Sequence, residues 1–479
     1  MKKILLPILL LVISVGINAQ ATQQPKYGFI NPKGKVVIPL KYEKVSDFNE
    51  GYAVVLNSNN ELLIIDKKGI ETLIKNKNYD ASFSSLSPFV FSEGLCAVTI
   101  DKKYGFINTK GEEVIPCEYE KPVVPKNADL RTVKNEPKFV NGVAVIYKNG
   151  AYGVINKSGK IVVPIEYQFL TNFKNNLAVF KKDLASTAMN GVIDVLGNII
   201  VKPTKFNNNI WIEDKNIIRY HFVDGKWSNF YGFYNNNGEE ENKENHFPYL
   251  SEFENGLALY GKKDAPNYWG IVDAMGITKP LTEKYAFDNN EPRQFKNGYL
   301  YPRKVIDKKM VVLNSKGERV NNNCEYDYLY ELNNDGIAFG IKGTTNATFY
   351  NDRECSVIYE TDMNGQGSMN YTFSSINKIY PFKGGYAAIR KDWADFLKEE
   401  FEYILIDKKG KTTYSVVGGR DCHLSPDKTE LGIYKYSQSD IFDLKKPAFE
   451  LYLKGDGTLL YKSLWGGRGF NDGLAAVMN

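Results

Sequence analysis

An Asn or Asp three residues before a Gly, set between two short apolar runs, recurs along the whole chain and restricts its fold more than any other feature. It stands as Asn31-Gly34, Asp66-Gly69, Asn108-Gly111, Asn156-Gly159, Asp194-Gly197, Asn235-Gly238, Asp273-Gly276, Asn314-Gly317, Asp362-Gly365 and Asp407-Gly410, with a weaker copy at Lys454-Gly457. The steps from Gly34 to Gly457 average about 42 residues, a period typical of repeat architectures. At this spacing the Asn or Asp side chain accepts a hydrogen bond from the backbone two residues on, and Gly takes a positive φ without steric cost. A type I turn followed by a left-handed residue is a common hairpin connection. These glycines are therefore assigned as structural turn residues.

The flanking runs read as strands. Tyr27-Gly-Phe-Ile30 precedes the first turn and Val36-Val-Ile38 follows it, and Tyr104–Ile107 with Val114-Ile115 and Tyr152–Ile155 with Ile161–Val163 repeat the arrangement. Pro39, Pro116 and Pro164 are expected to end the second run, since proline cannot donate to a ladder. A third element enters through Phe-x-x-Gly, as in Phe48–Gly51, Phe91–Gly94, Phe139–Gly142, Phe253–Gly256, Phe295–Gly298, Phe382–Gly385 and Phe470–Gly473. Linking segments carry Tyr42, Tyr119 and Tyr167. A three-stranded meander leaves apolar surface uncovered and needs neighbours. The prediction is an all-β chain of about eleven tandem three-stranded antiparallel meanders stacked as an open curved array. One or two β-propeller-like rings are the alternative, because propeller blades have similar repeat lengths.

These motifs resemble the WG-repeat (KWG-repeat) family of bacterial exported proteins, whose consensus runs aromatic-Gly-Phe-Ile-Asp, a Lys-Gly turn, Val-Ile-Pro, Tyr and Phe-x-x-Gly-Leu-Ala. Trp269-Gly270 supplies a literal Trp-Gly, and Tyr-Gly stands at Tyr27, Tyr104, Tyr152 and Tyr231. The resemblance covers residues 27–479, with clear repeats at 27–180 and degenerate ones at 181–250 and 318–479. It implies a binding role and brings no catalytic residues with it.

Residues 1–20 read as a signal peptide: Lys2 and Lys3, an apolar stretch from Ile4 to Val15, and Ala19 before the cleavage point. That stretch is shorter than the roughly 20 residues a spanning helix needs. Residues 21–479 are thus expected to be a periplasmic or extracellular repeat array without a transmembrane segment. The 61 Lys+Arg against 56 Asp+Glu are too balanced for a nucleic-acid partner. Cys96, Cys117, Cys324, Cys355 and Cys422 form no disulfide framework, although Cys324 and Cys355 could pair.

Chemical motifs are missing. His221, His246 and His423 have no ligand spacing, so no metal and no cofactor is expected. Adjacent strand residues face opposite ways, which argues against a Cys422-His423 pair. One carboxylate or amide per turn is too few for Ca²⁺. Many aromatics sit at fixed repeat positions and read as core. The off-register Trp211, Trp227 and Trp393 are the candidate ligand-binding residues, with Trp465 beside them. Asp392–Phe401 has helix-like spacing and reads as an insertion, as do Pro122–Glu136, Gln366–Asn377 and His423–Lys435. The expected function is an exported, non-catalytic binding or scaffolding module for an envelope or extracellular protein or glycan. A propeller-type polysaccharide- or peptidoglycan-active enzyme is the alternative.

Overall fold

The computed structural model describes residues 25–76, 78–83, 89–121, 137–183, 189–204, 209–223, 229–241, 246–262, 265–287, 294–320, 326–332, 337–341, 346–351, 356–362, 379–391, 400–419, 422–427, 432–438, 449–463 and 468–478. All regular structure there is antiparallel β, apart from a 3₁₀ turn at Asp214–Asn216. Among the described residues no helix is long and apolar enough to cross a membrane.

The described strands form eleven small sheets. Sheet 1 joins Tyr27–Ile30 and Val36–Tyr42 to the distant Ala475–Met478. Sheets 2 to 11 follow in chain order over residues 44–73, 91–120, 143–167, 169–201, 209–241, 249–280, 285–304, 328–362, 379–419 and 423–463. Most have four strands rather than three, because the linking segment adds a short leading strand such as Lys44–Val45.

The hairpin turns follow from their side chains. Asn31 Oδ1 accepts from the Lys33 and Lys35 amides at 3.0 and 3.1 Å, and Gly34 N donates to the Asn31 carbonyl at 2.9 Å. Asp66, Asn108, Asn156, Asp194, Asn235, Asp273, Asn314 and Asp407 make the same pair of side-chain bonds. Gly34, Gly69, Gly111, Gly159, Gly197, Gly238, Gly276, Gly317 and Gly410 take φ between 72° and 85°. Gly365 lies outside the described residues.

The prolines do not end their strands. Val36–Tyr42, Glu113–Glu120 and Ile161–Tyr167 run through Pro39, Pro116 and Pro164. Phe29 pairs with Ile38 and Tyr27 with Tyr42, so two extra residues bulge out at Pro39, where its missing N–H leaves no ladder bond unmade. The bulge folds back over Gly28, where a Cβ would stand 2.6 Å from the Ile38 carbonyl oxygen. That contact is why glycine follows the aromatic in the motif. In sheets 6 and 7 the space over Gly232 and Gly270 is filled by Tyr220 and Tyr260 instead.

Each sheet lends its apolar face to the next. Phe29 packs edge-on against Phe48 at 4.8 Å, Phe106 against Phe139 at 4.9 Å, and Phe233 against Phe253 at 4.9 Å, so the motif Phe of one sheet meets the entry Phe of its successor. Shared buried clusters join sheets 1 and 2, 2 and 3, and so on through 8 and 9. The Gly410 turn of sheet 10 abuts Ile358 of sheet 9, and sheets 10 and 11 share a further cluster. The last cluster returns to the start: Ile433 and Tyr452 of sheet 11 pack with Phe470, Ala475, Val477 and Ile30. The succession thus closes on itself through the pairing of Tyr27–Ile30 with Ala475–Met478, the ring alternative rather than the open array.

In its described residues the expected insertion at His423–Lys435 is mostly strand, and of Asp392–Phe401 only the last two residues are described. His423–Pro426 and Ile433–Gln438 belong to sheet 11, and Phe401 lies in the strand Glu400–Asp407. Residues 392–399, 122–136 and 366–377 lie outside the description, as do Cys324 and Cys355.

Candidate functional site

The two ends of the sheets differ. In sheet 2, Tyr52 pairs with Asp66, which sets the Phe48–Gly51 turn beside the Asp66–Gly69 turn at one end. Among the described residues that end repeats the same turns, and carboxylates tie it at four joints. Glu50 accepts from the Glu93 and Gly94 amides at 2.7 and 2.8 Å, Glu93 from Gly142 N at 2.8 Å, Glu254 from Gly298 N at 2.6 Å, and Asp472 from Gly51 N at 2.5 Å. Each acid thereby caps the turn of the following unit.

The opposite end carries the variable connections. Two-residue hairpins, Asp101-Lys102 and Asn149-Gly150, close sheets 3 and 4. In sheet 2 the same connection is longer, over residues 57–61, and in sheets 5 and 10 the strands on either side, Leu177–Lys181 with Gly191–Asp194 and Tyr386–Arg390 with Glu400–Asp407, stand further apart in the sequence. Connections between sheets leave from this end too. Rings gather there across sheets 6 to 8: His221 meets Tyr231 at 4.8 Å, Tyr231 meets Tyr249 at 6.4 Å, Tyr249 meets Trp269 at 5.4 Å, and Trp269 meets Phe287 at 4.8 Å. Among the described residues Trp269 Nε1 has no hydrogen-bond partner. A small cleft of about 20 Å³ between sheets 3 and 4 is lined by Tyr104, Tyr119, Tyr147 and Pro137.

Trp211 lies half-buried in the strand Asn209–Ile212, with the Arg219 guanidinium 4.4 Å over its ring. Arg219 Nε donates to Glu213 Oε1 at 2.8 Å, with both side chains only 9% exposed. Burial pushes the Glu213 carboxyl up, and the guanidinium partly offsets this. This indole packs against the arginine of a buried ion pair. Trp227, Trp393 and Trp465 lie outside the described residues.

Cys96 is fully buried, which pushes its thiol up, and Cys117 is pushed up to about 11 by burial. Cys422 is buried while its neighbour His423, the first residue of the strand His423–Pro426, is exposed. Among the described residues no three of His, Cys, Asp and Glu form a metal-binding group.

Two recurring features escaped the sequence reading. Ser46, Thr171 and Ser251 accept from the Val54, Val179 and Leu259 amides at 2.9–3.0 Å, closing the leading strand onto the next. Their signal is a hydroxyl residue two positions before the entry Phe. The signal for the carboxylate caps is an acid at the second or third place of Phe-x-x-Gly.

Comparison with known proteins places these units. The family of WG-containing repeats matches residues 27–60, 104–121 and 152–183. No curated protein matches the sequence. Solved structures resemble the chain at low identity. A eukaryotic initiation factor is 9% identical over 95% of this chain and 98% of its own, with a TM-score of 0.37. BamB from Moraxella catarrhalis is 9% identical over 71% of this chain and 94% of its own, with a TM-score of 0.28. The dihydro-heme d1 dehydrogenase NirN is 10% identical over 70% and 76%, with a TM-score of 0.30. At its three matched segments, built on Tyr27-Gly28, Tyr104-Gly105 and Tyr152-Gly153, the chain carries WG-containing repeats.

Proposed function

We propose that this chain is an exported, non-catalytic scaffold whose variable end binds an envelope or extracellular protein or a glycan. One observation carries the reading: the repeat spends its fixed residues at one end and its irregular connections at the other. In repeat proteins, insertions gather on one face, often the binding face, held by a rigid frame. The half-buried rings Tyr231, Tyr249 and Trp269 at that end offer an apolar, partly polar contact surface. Lys2, Lys3, the apolar run to Val15 and Ala19 support export.

The test is capture of envelope proteins and glycans by the immobilised chain without its leader. Tyr104→Ser with Tyr147→Ser, at the variable end, is expected to weaken capture by at least about tenfold, the loss of a buried aromatic contact. Lys110→Ala, at the uniform end, leaves it unchanged. Turnover of a polysaccharide or peptidoglycan substrate, or equal loss from both ends, refutes the reading.

A further inference from the structure

In sheet 6 one cluster of ligand-type groups converges on a point. Tyr220 lies with its ring over Gly232, where a Cβ would stand 2.3 Å from its hydroxyl oxygen. That hydroxyl donates to Glu240 Oε1 and lies 2.9 Å from His246 Nε2. His246 Nε2 is 3.3 Å from the same Glu240 oxygen. Phe222 walls the group, its ring meeting His246 edge-on at 5.1 Å. Glu240 and His246 keep 27% and 30% of their side chains exposed, so an ion can reach them from solvent.

The charge is unbalanced. In the Tyr42–Glu71 bond between sheets 1 and 2, Lys41 supplies a cation 2.7 Å from the carboxylate. Among the described residues no Lys or Arg pairs with Glu240, and an imidazole stands beside it instead. A separation of 3.3 Å is long for a charge-assisted hydrogen bond, which runs about 2.7–2.9 Å. A tetrahedral ion bound about 2.0–2.1 Å from each ligand sets its edges at about 3.3 Å; the Glu240–His246 pair already has that edge, and the Tyr220 hydroxyl, 2.9 Å from His246 Nε2 and hydrogen-bonded to Glu240, has to draw back to complete it.

We propose that Tyr220, Glu240 and His246 bind a divalent transition-metal ion of the Zn²⁺ type. Glu240 supplies the charge, His246 the nitrogen and Tyr220 the third oxygen. Imidazole with carboxylate favours Zn²⁺ over Mg²⁺ or Ca²⁺, which prefer all-oxygen shells. The ion enters between Tyr220 and Glu240 in place of the hydrogen they share, and that proton leaves to solvent.

Titration calorimetry of the full chain without its leader, with Zn²⁺ alone, reads the site, and the visible absorption of added Co²⁺ reports nitrogen and oxygen ligation. One equivalent is expected to bind. Glu240→Gln and His246→Ala are each expected to weaken binding by at least about tenfold, while His221→Ala and His423→Ala leave it intact. Circular dichroism checks that each variant is folded. Were His246→Ala to unfold, Glu240→Gln decides, because it keeps the side-chain shape and an acceptor for Tyr220. No Zn²⁺ uptake by the wild-type chain, no Co²⁺ absorption, or uptake that survives Glu240→Gln overturns the proposal.

Discussion

Glycine performs two separate tasks in this repeat, and substitution separates them. Gly51 has φ +84° with nothing within 4 Å of an added Cβ, so alanine there meets only backbone strain, about 1 kcal/mol. Gly28 has no positive φ, but its Cβ would lie 2.6 and 2.8 Å from backbone atoms of Ile38 and Leu40, which cannot swing aside. Gly28→Ala is expected to cost about 3 kcal/mol, the range for overpacking a tight core. Urea unfolding of the two variants compares them directly, and a larger loss for Gly51→Ala would remove the bulge contact as the reason for the motif glycine. Turn glycines were legible in the sequence because their requirement is local. The position of Trp211 was not, since Arg219 and Glu213 reach it only through cross-strand pairing and the turn between the strands.

Strands with a clear apolar run, such as Leu62–Asp66, could be read directly, and the antiparallel hairpins followed from their turns. The two-residue strands could not be read, because so short an element has no periodicity to detect. Pro39 was misjudged for a different reason. It does prevent a ladder bond, but the bulge already leaves that position unbonded and the strand resumes at Tyr42. That resumption has a consequence for the joint between sheets. Tyr42 donates to Glu71 at 2.7 Å, and Lys41 pairs with the same carboxylate. Lys41 first, then Tyr42, holds Glu71 below the usual carboxylate range. A depressed folded value means the joint adds stability above the unfolded carboxylate value and loses it as pH falls through the folded value. Glu71→Gln is therefore expected to lower stability at pH 7 by at most about 1 kcal/mol, since the pair is solvent-screened. The gap between variant and wild type closes as pH falls from above the ordinary carboxylate value of 4.5 through the lowered folded value, followed by urea midpoints. A gap that widens toward acid would contradict the assigned sign.

Closure of the whole molecule depends on how much each sheet rotates relative to its neighbour, a quantity spread over every joint and written in no single motif. The seam uses the same devices as the interior joints. Tyr452 meets Phe470 edge-on at 5.9 Å, Ser463 Oγ bonds both the Met478 amide and carbonyl, and Arg468 pairs with Asp47 at 3.2 Å. Asp472 caps Gly51 N as Glu50 caps Gly94 N, and it also binds Lys67 at 2.6 Å. If the seam is one joint among equals, Asp472→Ala and Glu50→Ala lower stability alike, by about 1 kcal/mol each. Their distribution differs from that of a lost strand. Truncation after residue 467 removes Phe470, Ala475 and Val477, leaving the buried Ile30 and Tyr452 uncovered. Because each sheet leans mainly on its two neighbours, the loss should spread inward from sheets 1 and 11 and reach sheets 5 and 6 last. Amide hydrogen exchange of the truncated chain reads that gradient. Even deprotection of all sheets would make the ring a single cooperative body, and unchanged protection at Tyr27–Ile30 would mean the terminal strand is not what completes sheet 1.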